Sequence, residues 1–255
     1  MGAGADDANG TGGPGGTGGP QDAAAADRAD WPEQRTATVF APYGPLALTG
    51  THWLDDAAEG RIPAVAGRWE AARDAVVLTA TAEDGLTLDG EPFTGRAVLT
   101  ADHAPAASAR PAQGERHRVV VYRAGLWAIR VTDSASAARR DFARIEASAY
   151  EPRWVLPGTF RPCAERRTVR VPNADGRDRG LGLTGELAFR IEGQVDSNRA
   201  LLTPCAFTEH FICPLPPPGN TLPIDVPAGE RTVLTGQHGR RCATPVRPAE
   251  RRSCA

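Results

Sequence analysis

From Trp31 onward glycine recurs about every ten residues, several times behind an aspartate, and short apolar runs fill the intervals. Glycine enters left-handed backbone at no steric cost, so these pairs mark tight turns and limit the length of any element between them. Intervals of that size suit strands joined by hairpins. Residues 75–81 (AVVLTAT) read as a strand, and Asp84-Gly85 and Asp89-Gly90 bracket residues 86–88 as hairpin turns. The clearest hairpin is 117–123 (HRVVVYR), Ala124-Gly125 and 126–132 (LWAIRVT), with Trp127, Ile129 and Val131 on one face of the second arm. Further strands are expected at 167–171 and 186–192, the latter alternating Leu187, Phe189 and Ile191 with Ala188 and Arg190. One short helix is expected behind Asp133-Ser134, running to Phe142. With neither βαβ alternation nor an internal repeat, the pattern predicts an all-β fold, an antiparallel barrel or sandwich.

The ends differ. Residues 1–30 are a low-complexity Gly/Ala-rich run and are expected to be a disordered tail. Residues 237–255 hold five arginines without apolar periodicity and are expected to be another. The β-rich domain then spans 31–236. Arginine carries the positive charge and alanine is plentiful, a usage typical of high-GC bacterial genomes. The net charge of −2 gives no basic surface for nucleic acid or for an anionic membrane. No run approaches the ~18 apolar residues of a membrane span, and residues 1–30 lack the basic-then-apolar order of a secretory leader. Five cysteines are too few for a disulfide scaffold. The expected setting is cytoplasmic, with reduced thiols.

The segment 198–230 stands apart, with two cysteines, a histidine, two phenylalanines and seven prolines. Proline fixes φ and donates no backbone hydrogen bond, so this run is neither helix nor inner strand. It reads as a stiff loop pressed onto the rest of the chain. Cys205, His210 and Cys213 offer two thiolates and an imidazole to a tetrahedral metal, with His52, Asp55 or Asp56 as the fourth ligand. Against that, the spacing is no standard finger, and two small thiols anchoring a loop explain the same residues. Cys205 as nucleophile, His52 as base and Asp55 or Asp56 as its orienting carboxylate would make a catalytic set. Yet no glycine-rich elbow positions Cys205, and His52-Trp53 reads equally as a turn with an aromatic docked on the core. Asn198 and Arg199 could bind a carboxylate or amide, or Arg199 could pair with Asp196 or Glu230. Trp53, Trp69, Trp127 and Trp154 could line a pocket or fill a β core. No phosphate loop, dinucleotide fingerprint, HExxH or serine elbow is present, so cofactor and reaction stay unspecified.

Three strings taken together carry a resemblance: residues 41–54 (APYGPLALTGTHWL), 150–160 (YEPRWVLPGTF) and 198–230 with its NRALLTPCAF and CPLPPP runs. In this order they resemble a bacterial family, the domain of unknown function numbered 1684, over roughly residues 31–236. The resemblance implies a β-rich single domain and supplies no biochemical role. The chain departs from the pattern in three places. The strands that the family has between its Gly-Glu-Leu-x-Phe strand and Asn-Arg-Ala are missing here, where 186–193 runs almost directly into 195–200. Ser197 replaces an aromatic, and Thr203 replaces the first proline. Removing inner strands exposes the ladder edges of their neighbours.

The reading that follows is a β-domain binding a small molecule, with His210, Trp53, Asn198 and Arg199 as contacts, in a cleft between THWLDD and CAFTEHFIC. The alternatives are a hydrolase- or transferase-like enzyme using Cys205, His52 and Asp55, and a truncated, inactive paralogue.

Overall fold

The computed structural model describes residues 20–104, 109–149, 158–189, 201–217, 220 and 229–236. In chain order, helix α1 (Pro20–Phe40) precedes β1 (Leu48–Trp53), β2 (Arg68–Ala71), β3 (Val76–Ala80), β4 (Thr87–Leu88), β5 (Glu91–Pro92) and β6 (Gly95–Leu99). Then come β7 (Pro111–Gln113), β8 (Arg116–Arg123), β9 (Leu126–Asp133), α2 (Ala137–Asp141) and β10 (Phe142–Ala147). Two long strands, β11 (Gly158–Pro172) and β12 (Asp178–Phe189), and finally β13 (Glu230–Thr235) complete the set. The fold is mostly β, in several antiparallel sheets.

Two of the three expected hairpin turns form and build the core, whereas Asp84-Gly85 ends a short 3-10 turn (Ala82–Asp84) between β3 and β4, which belong to different sheets and do not pair. Ala124 and Gly125 sit at φ 51° and 87°, Asp89 and Gly90 at 52° and 95°. Two successive left-handed residues make the turn whose twist matches that of paired strands. The first joins β8 to β9 and the second joins β4 to β5. A six-stranded sheet results, in the order β1-β9-β8-β7-β4-β5, beside a three-stranded sheet β2-β3-β6. Trp127, Ile129 and Val131 do share a face, and they bury with Val120 against Trp69, Val76, Leu78 and Leu99 of the smaller sheet. That is a sandwich core, and β1 is one edge of the larger sheet.

The helices differ from expectation. The short helix is α2, capped by Ser136, whose Oγ accepts from the Arg139 N–H at 3.3 Å and donates to Leu46 O at 2.6 Å. Phe142 already belongs to β10. In addition there is a 21-residue helix, α1, which crosses the 30/31 boundary and carries Pro32 in its interior. Its C-terminal half is fixed by tertiary contacts: Val39 is fully buried with Leu46 and Phe207, and Arg35 meets Glu230.

β11 and β12 pair only with each other among the described strands. The expected strands at 167–171 and 186–192 are parts of this ribbon, the latter described only to residue 189. Phe160 and Leu187 face each other across it and are 57% and 63% exposed. Tyr150, Trp154, Ile191, Asn198, Arg199 and residues 237–255 lie outside the described residues.

Candidate functional site

Residues 201–217 form a strap laid against β1. Thr51 Oγ1 donates to His210 O at 2.8 Å, and Thr208 Oγ1 donates to Leu48 O at 3.2 Å. On its other side the strap meets the turn of the β11–β12 ribbon. The Ala174 N–H donates to Cys213 O at 2.9 Å and the Leu215 N–H to Pro172 O at 2.8 Å. The strap is thus pinned between an edge strand and a ribbon tip.

Strand alternation decides what the strap covers. Thr51 pairs with Arg130 and Trp53 with Ala128, so these four share one face of the large sheet. The strap packs there. Ile212 joins Trp53, Val121 and Ala128 in an apolar cluster, and the Arg130 guanidinium lies 5.4 Å from the Phe211 ring centre. Trp53 is 8% exposed, and the Arg179 guanidinium sits 4.5 Å above its ring. Arg179 is itself held by both oxygens of Asp175, at 2.7 and 2.6 Å. Trp53 is therefore a packing post for strap and ribbon.

Cys205 is near enough to Cys213 to bear on the ionisation of its thiol. Cys205 Sγ is also 3.0 Å from Thr203 Oγ1. Both cysteines are half-buried and free. Burial, then the neighbouring Cys205 thiol, pushes the Cys213 thiol up to about 11, with Arg130 opposing. Cys213 is consequently a neutral thiol at physiological pH.

His52 pairs with Ile129 and so belongs to the opposite face. Its ring folds back over Gly50, where an added Cβ would stand 2.5 Å from Nε2. Burial first, and the field of His210 second, lower its pKa. The field of His210 thus reaches His52 although the two lie on different sides of β1. No hydrogen bond joins His52 to Cys205 or to Asp55 among the described residues, and no three His, Cys, Asp or Glu side chains there converge on a metal position. Asp56 is taken by Arg177 at 3.0 Å. Asp55 instead borders a cleft of about 280 Å³ with Leu54, Glu59, Arg68, Trp69 and Glu70. That cleft lies past the end of β1, away from the packed seam between β1 and the strap.

Arg130, Thr51 and Thr203 were not among the residues expected at this site. Arg130 interrupts the LWAIRVT run at a position that alternation assigns to solvent, and only the strap, some eighty residues later, covers it.

Among known families, the one described as Protein of unknown function (DUF1684) matches residues 192–231, which contain the strap. This is the third of the three strings that carry the resemblance. No curated protein and no solved structure matches the chain. No helix among the described residues is long and apolar enough to cross a membrane.

Proposed function

We propose that the protein is a non-catalytic binding domain that takes a small polar molecule at the rim of the β1–strap seam, with His52 and His210 as its hydrogen-bonding groups. The observation that carries this reading is the meeting of two segments over 150 residues apart in the chain, tied by Thr51 to the His210 backbone and by Thr208 to Leu48. The lowered pKa of His52 keeps that imidazole neutral near pH 7, so it offers one donor and one acceptor. A ligand carrying both hydroxyl and carbonyl functions suits such a pair. Trp53 lies beneath the strap as its support. The catalytic alternative has little support, because the Cys205 sulfur is engaged by Thr203 and no hydrogen bond joins it to His52 among the described residues.

The test is ring-proton NMR of the full chain, with histidine Cε1–H resonances assigned by His52→Gln and His210→Gln, during titration with pooled polar metabolites. A bound compound should shift both resonances, and Gly50→Ala, which displaces the His52 ring, should weaken it at least tenfold, about 1.4 kcal/mol. A compound that binds without moving either ring removes the proposal. So does any turnover abolished by alkylating Cys205.

A further inference from the structure

We propose that the face of the large sheet beneath the strap is a binding site for a short-chain carboxylate, with the Arg130 guanidinium and the Trp53 indole N–H as its hydrogen-bond donors. This inference does not rest on the His52 and His210 reading above, since His52 belongs to the other face of β1. It rests on three features of the seam.

The first is a set of buried donors without acceptors. Trp53 Nε1, Arg130 Nε and Arg179 Nε are each sealed from solvent, with no hydrogen-bond partner among the described residues. Trp53 is 8% and Arg179 7% exposed. Indole and guanidinium N–H groups can only donate, and a buried donor left unpaired costs its full desolvation. The second feature is placement. Thr51 pairs with Arg130 and Trp53 with Ala128, so Trp53 and Arg130 are diagonal neighbours on one face. Side chains of this length reach each other across such a diagonal. Successive strap residues roof them: the Phe211 ring lies over Arg130, and Ile212 packs in the Trp53 cluster. The third is charge. Arg123 holds both oxygens of Asp102, Arg177 those of Asp56 and Arg179 those of Asp175. No carboxylate accepts from Arg130 among the described residues, and what its guanidinium meets is the Phe211 ring.

These features select the ligand. The unpartnered Nε leaves one side of the guanidinium fork open, and that fork fits the two oxygens of a planar carboxylate. A remaining lone pair on one oxygen can take the Trp53 N–H. The surroundings are apolar, with Val119 paired to Arg130 and Val121, Ala128 and Ile212 in the Trp53 cluster. They suit a tail of a few methylenes and offer no polar partners to a phosphate. Entry requires the strap to lift. Its bonds to β1 are the two from Thr51 and Thr208 side chains, with no backbone ladder between strap and β1 among the described residues. A segment held in this way opens more readily than the sandwich core. The bound anion balances Arg130 and completes the seam, so binding holds the strap down.

The experiment is a titration of the isotope-labelled full chain with sodium butyrate, followed at the Trp53 indole N–H resonance. That resonance is assigned by Trp53→Phe and, without any variant, by its nuclear Overhauser contacts to Ala128 and Ile212. The expected result is a saturable downfield shift with millimolar affinity or tighter, ordinary for a ligand of so few atoms. Arg130→Gln, which removes the charge and the fork, should weaken binding about tenfold or more. Amide exchange at Phe211 and Ile212 should slow as butyrate saturates the site. Inorganic phosphate is the comparison anion, and phosphate binding as tightly as butyrate overturns the carboxylate class. A Trp53 resonance unmoved by butyrate up to about 100 mM overturns the site. That result comes from the wild-type chain, so an Arg130→Gln variant that fails to fold leaves the test intact. The histidine Cε1–H resonances keep the two readings apart. Butyrate that moves Trp53 while His52 stays still supports this site whether or not the histidine pair binds a ligand, whereas a shift confined to His52 and His210 overturns it.

Discussion

At the scale of single residues, the chain carries one cost that its strands conceal. Arg118 sits in β8 at 2% exposure, and no carboxylate pairs with it among the described residues. Its guanidinium instead donates to Arg116 O at 2.8 Å and to Gln113 Oε1 at 2.9 Å, and Nε has no partner. Burial, and then the Arg116 charge, lower its pKa. A buried charge satisfied only by neutral acceptors depends on each of them. Gln113 also donates to Asp84 O at 2.9 Å, which ties β7 to the turn before β4. Gln113→Ala should therefore destabilise the protein by about 2 kcal/mol, read as a lower urea midpoint at unchanged slope. A loss below about 0.5 kcal/mol would mean that water replaces the amide at no cost, so that Arg118 is not sealed in.

At the scale of elements, the hairpins were legible and the helix was not, for a physical reason. Asp89-Gly90 and Ala124-Gly125 carry their turn chemistry within two residues, so local sequence suffices. Helix α1 has Pro32 inside it and little apolar content, and neither its start nor its face is signalled locally. It is held from outside. Glu230, whose side chain is fully buried, accepts from Arg35 Nε at 2.7 Å and from the Leu202 N–H at 2.6 Å. Arg35 also stacks over Phe207 at 5.3 Å. One carboxylate thus joins α1, the start of the strap and β13. The same rule governs the site. The Cys–His–Cys spacing was readable because it lies within one loop, whereas Arg130 and the Thr51–His210 bond depend on distant pairing. Glu230→Gln keeps the shape and removes the charge. It should cost about 2–3 kcal/mol, less than a fully buried pair because Arg35 retains some solvent contact. Hydrogen exchange should speed up at Leu202 and in the last turns of α1, while β8 and β9 stay protected. Equal acceleration in β8 and β9 would contradict the idea that Glu230 anchors a peripheral unit.

At the scale of the whole molecule, ionisation should divide stability into pH windows. The chain has no lysine and its arginines stay charged throughout, so the carboxylates, histidines and Cys213 set the profile. His52 and His117 both have lowered pKa values, each mainly from burial, with His210 adding to the first and Arg110 to the second. A lowered histidine prefers to fold neutral, so its contribution is complete above the unfolded value of 6.5 and is lost as pH falls below it. Three carboxylates are lowered too. Asp84 is held by the Thr81 N–H, Asp175 by Arg179, and Asp102 by Arg123 against an opposing push from burial. Their contribution is complete above 3.8 and is lost as pH drops through their folded values. Cys213 acts in the other direction. Its raised thiol stabilises below 9.0, and that contribution is lost as pH climbs towards about 11. The urea midpoint should therefore be flat between about pH 7 and 8.5, fall gently below 6.5, and fall steeply below about 4. His52→Gln with His117→Gln should remove the gentle fall and keep the steep one. Cys213→Ser should flatten the alkaline limb alone. A midpoint that rises on acidification from pH 7 to 5 would reverse the sign required of both histidines, and with it the neutral His52 on which the binding seam depends.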